Sequence, residues 1–227
     1  MTDENRTPQA TFTASERDAV YKAIVARRDV RRFVSSPLPG DAVERIVLAA
    51  HHAPSVGFMQ PWNFILIRQP ETRKLIKEAF PLARNQEAEQ FSGERKELYI
   101  ALKLEGIEEA PLNICVTCDS TRHGPAVLGR SLMPQTDLYA TCCAIQNLWL
   151  AARVEGLGVG WVSILSEERL KEILRIPSHI TVVGYLCVGY PARFEAKPEL
   201  DTAGWLDRTP LHDVIFDETW NGKVGPR

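Results

Sequence analysis

The sequence predicts an α+β protein, a mixed central sheet flanked by helices, and three observations carry that expectation. Two helical patterns precede the first strand-like run. The later strand-like runs are separated by helices without a repeated βαβ glycine pattern, and one stretch, residues 138–152, is apolar around most of its circumference. With 227 residues, 44% of them hydrophobic and 25% charged, the chain can build a sizeable core and cover it.

Residues 15–26 space Val20, Ile24 and Val25 helically with Tyr21 beside them, so a first helix ends at Arg27, Arg28, Asp29, Val30 and Arg31. Three guanidinium forks within five residues can close on the doubly charged phosphate of a nucleotide. Basic residues at a helix C-terminus also have a plainer explanation, attraction to its exposed carbonyls. Asp29, a carboxylate amid three cations, is expected to stay ionised, as an ion-pair partner or as a proton-handling group beside a bound anion. A second helix spans 41–52, with Val43, Ile46, Val47 and Ala50 on one side and Pro54 as its stop.

Residues 54–63, PSVGFMQPWN, form a shaped loop. Its prolines, glycine, Ser55, Gln60 and Asn63 suit turns, while Phe58, Met59 and Trp62 give it an apolar surface that faces either the core or a ligand. Residues 64–68 read as a short strand and 72–80 as a helix. The stretch 84–109 mixes charges with a thinner apolar stripe at Leu98, Ile100, Leu102 and Leu104, which suits a solvated helix or a lid. Residues 113–118 read as a strand, and 124–134 as irregular.

The uncharged run 138–152 is a buried helix, in the core or at a subunit interface. It is shorter than the roughly 18–20 residues a bilayer crossing needs, and Gln146 and Asn147 interrupt it. Burial by a second copy is expected, hence a homodimer. The following GLGVGWVS stretch, 156–163, is no dinucleotide fingerprint, which needs a strand before it and a helix after it. One glycine caps the helix. Gly160, entering a strand over 161–165, allows something planar to approach the backbone. Ser163 in that strand has neither a GxSxG setting nor an obvious His partner, which argues against a hydrolase nucleophile. A helix over 166–174 leads to a central strand over 180–190. The tail from 192 holds Trp205, Arg208, Pro210 and Trp220, and is expected to wrap over a neighbouring subunit or add an edge strand there.

Charge and cysteines exclude several classes. Lys plus Arg number 27 against 29 Asp plus Glu, a net charge of −2 without a long basic run, so nucleic acid and anionic membrane are poor partners. The polar N-terminus, 1–13, reads as a flexible arm without a signal peptide, before a single domain over 14–227 and a cytoplasmic location. Five cysteines suit reduced thiols. Cys115 and Cys118 have CxxC spacing, but three apart on a strand they point to opposite faces, and the five histidines show no ligand spacing. No metal is expected.

Arg-Arg-Asp-Val-Arg after the first helix, PSVGFMQPWNF after the second, KLEGI at Lys103, the buried helix and GLGVGWVSI together resemble the flavin-dependent nitroreductase superfamily. Within it they are most similar to the 5,6-dimethylbenzimidazole synthase branch. The general pattern has a small hydroxyl residue where this chain has Asp29, and that departure points to the branch. The resemblance implies a nitroreductase-like fold and a homodimer with two FMN sites at the interface, with a C-terminal arm reaching the partner. It places Arg27, Arg28 and Arg31 at the phosphate and ribityl end, within a cofactor-binding set that includes Asp29, Val30 and Ser163. Ser55 would lie near the flavin ring, Gly160, Trp161 and Val162 on its other side, Leu104 in a lid and Arg208 near the phosphate.

The reaction so implied uses reduced FMN as substrate, supplied by a separate flavin reductase, with molecular oxygen as co-substrate. The ring system is fragmented to 5,6-dimethylbenzimidazole, the lower ligand of cobalamin, and a sugar phosphate. Asp29 and Ser163 are the candidate catalytic residues, and Met59, Trp62 and Trp161 would supply apolar walls. Two other readings stay open: an NAD(P)H-dependent nitroreductase or flavin reductase, and a non-catalytic flavin carrier.

Overall fold

The computed structural model describes residues 11–222. The first helix, α1, runs Ala14–Ala26 and begins at a reciprocal cap. Thr13 Oγ1 accepts the Glu16 amide at 3.3 Å, and the Glu16 carboxylate accepts the Thr13 amide at 2.7 Å. No residue of α1 is buried, and Val20, Tyr21, Ile24 and Val25 all lie exposed. After the short strand β1 (Phe33–Val34), α2 (Gly40–His51) buries Ala42, Val43, Ile46 and Ala50, the face its apolar spacing predicts. Then come β2 (Trp62–Ile67), α3 (Pro70–Ala88), α4 (Gly93–Ala101), β3 (Leu112–Cys118), α5 (Thr136–Val154), β4 (Gly158–Val162), α6 (Glu167–Leu174) and β5 (Thr181–Pro191).

The sheet runs β1-β5-β3-β2, with β4 also paired to β5, which is the central strand. All five strands pair antiparallel, and a single parallel bridge joins Asp29 to Val159. Strand alternation splits the core in two. Ile114, Val116, Leu186 and Val188 face α2 and α5, packing on Ile46, Ala144, Ile145 and Leu148. Cys115, Tyr185 and Cys187 face the other way, toward Ile76 and Phe80 of α3 and Leu170 of α6. The five cysteines are free. Cys115 belongs to the α3 and α6 side, whereas Cys118 meets Thr141 of α5, so the CxxC pair does point to opposite faces.

Several boundaries differ from the sequence expectation. α3 continues through Pro81 to Ala88: the missing amide costs one ladder bond, but burial of Ile76, Phe80 and Ala88 holds both halves against the core. The expected helix in 84–109 therefore divides, and α4 stops at Ala101. Beyond it Leu102, Glu105 and Ile107 are buried rather than lid-like, and Ile100 is exposed. β4 starts at Gly158 and ends at Val162, so Ser163 lies beyond the strand and exposed. The chain leaves the sheet there because Ser166 caps α6, accepting the Arg169 amide at 3.2 Å.

The chain forms two compact units, divided between Ala196 and Lys197. The second contains the short helix α7 (Glu199–Thr202), a 3₁₀ turn at Leu211–Val214, and Phe216 packed on Trp220 with ring centroids 5.0 Å apart. No strand occurs among its described residues. Of the expected N-terminal arm, 1–10 lies outside the described residues and Thr13 belongs to the α1 cap.

Candidate functional site

The segment 27–31 is wedged between α5 and β4. Helix α1 ends because Arg27 turns extended, at φ −64° and ψ 137°. From α5, Trp149 Nε1 donates to the Arg28 carbonyl at 3.2 Å and Arg153 Nε to the Ala26 carbonyl at 3.1 Å. From β4, the Val159 carbonyl accepts the Val30 amide at 3.0 Å. The glycines of β4 make room for this contact. A Cβ on Gly160 would lie 2.1 Å from the Val30 carbonyl oxygen, and one on Gly158 would meet the Val30 side chain at 2.8 Å. What approaches the Gly160 backbone in this chain is the Val30 peptide itself, filling the space the sequence suggested for a planar ligand.

Because the backbone is extended after Ala26, the arginines diverge instead of closing together. Arg27 lies over the Trp149 ring, 4.7 Å from its centroid. Arg28 turns back: its Nη1 donates to the Val25 and Arg27 carbonyls, both at 2.7 Å, and its Nη2 to the Ala196 carbonyl. Arg31 Nη2 pairs with Asp29 Oδ2. Two buried donors of this segment have no partner among the described residues, Arg31 Nη1 and Arg28 Nε. Buried, unpartnered guanidinium donors beside a paired one fit an anionic ligand such as a flavin nucleotide.

Asp29 Oδ1 accepts the Trp161 amide at 3.0 Å, which ties this carboxylate to β4. Its pKa is the main electrostatic surprise. Burial pushes it up, while Arg31, the Trp161 amide and Arg27 pull it down, and the balance lies above the ordinary value of 3.8. Of the three arginines expected to hold Asp29 ionised, Arg31 forms the ion pair, Arg27 adds a weaker attraction, and Arg28 faces elsewhere, so the pull toward the ionised form is smaller than three closing guanidiniums would give. The Asp29 side chain keeps 44% of its surface, so it is desolvated on one side and accessible on the other.

The remaining predicted residues are spread around this centre. Trp161 is half-buried, with its ring centroid 6.4 Å from that of Trp149, and Val162 is buried on the α3 and α6 side of the sheet. Leu104 is half-buried against the same core. Met59 and Trp62 are core residues, 0% and 3% exposed, rather than walls of an open pocket. The exposed aromatic of their loop is Phe58. Ser55 Oγ accepts the Gln60 amide at 3.0 Å, closing that loop on itself. Arg208 lies exposed in the second unit. Cavities of about 370, 430 and 290 Å³ lie elsewhere: one between Arg68, Arg73 and Pro111, one along α2, and one between α3 and α4.

Two residues escaped the sequence reading. Arg122 Nη1 donates to the Gln60 carbonyl at 2.5 Å and the Trp62 carbonyl at 3.1 Å, and its Nη2 reaches Asn63 Oδ1. Arg130 bridges Ser120 and Asp137 beside Met59. The available signal was Asp119, directly after β3, whose Oδ1 accepts the Thr121 amide at 2.9 Å in a side-chain turn that aims Arg122 back at the loop. Among the described residues no group of three or more His, Cys, Asp or Glu is disposed to hold a metal ion, and no helix is long and apolar enough to cross a membrane.

A profile described as the nitroreductase family matches residues 24–190. A 5,6-dimethylbenzimidazole synthase of Rhodospirillum rubrum is 40% identical over 204 residues, spanning 90% of this chain and 96% of that protein. Another, of Rhodobacter capsulatus, is 38% identical over 202 residues, 88% of this chain and 96% of the relative. Among solved structures, an iodotyrosine deiodinase bound to FMN and 3-iodo-L-tyrosine superposes with a TM-score of 0.70 at 20% identity, covering 88% of this chain and 100% of that one. The NfrA1 nitroreductase of B. subtilis gives 0.67 at 22% identity, covering 89% and 75%. Those two likenesses speak to fold, and the sequence kinship to lineage: the chain belongs to the nitroreductase family, within its 5,6-dimethylbenzimidazole synthase branch.

Proposed function

We propose that this chain catalyses the oxygen-dependent fragmentation of reduced FMN to 5,6-dimethylbenzimidazole, the lower ligand of cobalamin, with release of a sugar phosphate. The observation that carries the proposal is Asp29: a carboxylate of raised pKa, fixed by the Trp161 amide and Arg31 beside an unpartnered buried guanidinium donor. It stands in a chain 40% identical to a protein named for this synthesis. Reduced FMN, delivered by a separate flavin reductase, supplies the ring to be fragmented and the electrons for molecular oxygen.

In this reading Arg27 and Arg31 hold the phosphate and ribityl end. Arg28, most of whose donors are spent on carbonyls, contributes chiefly through Nε and by fixing the segment. Half-buried Trp161 faces one side of the ring, Gly160 and Val162 serve by seating the Val30 peptide and anchoring the strand that carries it, and Ser55 orients the other side. Leu104 contributes to the enclosure, and Arg208, in the second unit, is a further candidate for the phosphate. Asp29, its pKa raised from the ordinary 3.8 by burial, accepts or returns a proton near the ribityl carbon, and Ser163 relays it. Trp161, over Trp149, limits water at the ring.

The assembly is a homodimer with FMN sites at the interface. A 13-residue helix with no buried residue and four exposed large apolar side chains is unlike a helix meant for water, and α5 exposes Tyr139 and Val154 beside it. The test separates the synthase from a conventional nitroreductase. The purified protein should carry little flavin absorbance, fail to oxidise NADH unaided, and form product only when reduced FMN is supplied. A yellow protein that oxidises NADH by itself would favour the nitroreductase reading.

A further inference from the structure

The loop between α2 and β2 is held in a conformation its own residues disfavour. Gly57, Phe58 and Gln60 have φ of 54°, 53° and 49°, the left-handed region. Glycine tolerates it, whereas phenylalanine and glutamine do so at a cost. Such strain persists only where surrounding structure over-determines it, and it gathers at functional sites. Ser55 Oγ on the Gln60 amide is one restraint. The larger one comes from outside the loop. Arg122 lays its planar fork across three acceptors, the Gln60 and Trp62 carbonyls and Asn63 Oδ1. The same outer loop packs on the turn itself, since a Cβ on Gly57 would lie 2.7 Å from Val127 Cγ1 and 2.9 Å from the Leu128 carbonyl.

We infer that Arg122 is a positioning residue: it locks the 54–63 loop in its left-handed form and thereby fixes Ser55 for flavin, an inference that rests on the reading of Ser55 as a flavin-ring contact. Two features make the guanidinium specific. Its three acceptors are spread over residues 60–63, which a planar fork with fixed donor directions spans and a single ammonium does not. Its contacts are to the loop backbone and Asn63, so its influence on a ligand passes through the loop.

The test is hydrogen exchange on the full-length protein, read with flavin affinity from fluorescence quenching by titration with FMN, for Arg122→Lys, Arg122→Ala and Ser55→Ala. Arg122→Lys keeps the charge, so it reports on the fork even where the alanine variant folds poorly. Expected for Arg122→Lys are amide exchange over 56–63 at least about tenfold faster, unchanged exchange in β3 and β5, and FMN affinity at least about fivefold weaker, changes of the size expected when charge-assisted hydrogen bonds are lost. Unchanged loop exchange in both arginine variants would overturn the clamp. Faster loop exchange with unchanged affinity would overturn the positioning role if Ser55→Ala still weakens FMN binding. If Ser55→Ala also leaves affinity unchanged, the failure lies in the reading of Ser55, and the inference falls with it.

Discussion

The Val30 carbonyl oxygen stands over Gly160 so closely that a methyl group on residue 160 would come within 2.1 Å of it. That one approach fixes the arginine segment to β4, and with it the Asp29 bond to the Trp161 amide. Gly160→Ala should therefore cost about 2–3 kcal/mol through overpacking, a fall in melting temperature of roughly 4–12 °C for a chain of this size. The atoms nearest a Cβ on Gly158 are all of the Val30 side chain, so adding Val30→Ala, which removes both γ-methyls, should recover part of the loss in Gly158→Ala and leave Gly160→Ala unrescued. Thermal melts of the four variants check this.

Glu105 gives a pH dependence whose sign is fixed. Burial pushes its pKa up, but Lys77, the Ile107 amide and Lys103 together outweigh that and leave it below the ordinary 4.5. A carboxylate whose pKa is lowered by folding contributes its full stability above the ordinary value and loses it as pH falls through the folded one. Glu105→Gln should cost about 1–2 kcal/mol at neutral pH. The gap from wild type should close as pH falls below 4.5, read by urea denaturation across pH.

Asp29 shifts the other way. Its pKa lies above 3.8, so if it accepts a proton, product formation by wild type should show an acid limb above that value. Asp29→Asn should remove the limb, lower product per reduced FMN by at least about tenfold, and leave flavin binding largely intact. Product yields equal to wild type would remove Asp29 from proton transfer.

The thiols report on assembly. Burial pushes Cys115 and Cys187 up to about 12, which makes both inert, whereas Cys142 and Cys143 are exposed on α5 of the single chain. In a homodimer that covers α5, a thiol reagent should titrate fewer than two cysteines in the native protein and all five in denaturant. Two fast-reacting thiols in a species of dimer mass would place α5 outside the interface.

Much of this architecture was legible from local pattern. The unbroken apolar run around Tyr185, Leu186 and Cys187 marks a strand buried on both faces, and the uncharged run around Ile145 marks a core helix. The arginine segment was legible as a helix end, but its geometry was not. Three arginines in sequence look like one charge cluster, yet an extended backbone after Ala26 sends Arg27 to Trp149 and Arg28 back to carbonyls. The surroundings that set the pKa of Asp29 include the Trp161 amide, more than 100 residues away in sequence, and the reason for Gly160 is the equally distant Val30 peptide. Arg122 was hidden for the same reason: its partners lie about 60 residues upstream.

The most direct measurement is to mix the purified protein with anaerobically reduced FMN, admit oxygen, and separate the small molecules by chromatography with mass detection. Wild type should yield 5,6-dimethylbenzimidazole, and Asp29→Asn almost none. Recovery of oxidised FMN and hydrogen peroxide alone, with the flavin ring intact, would contradict the proposed fragmentation.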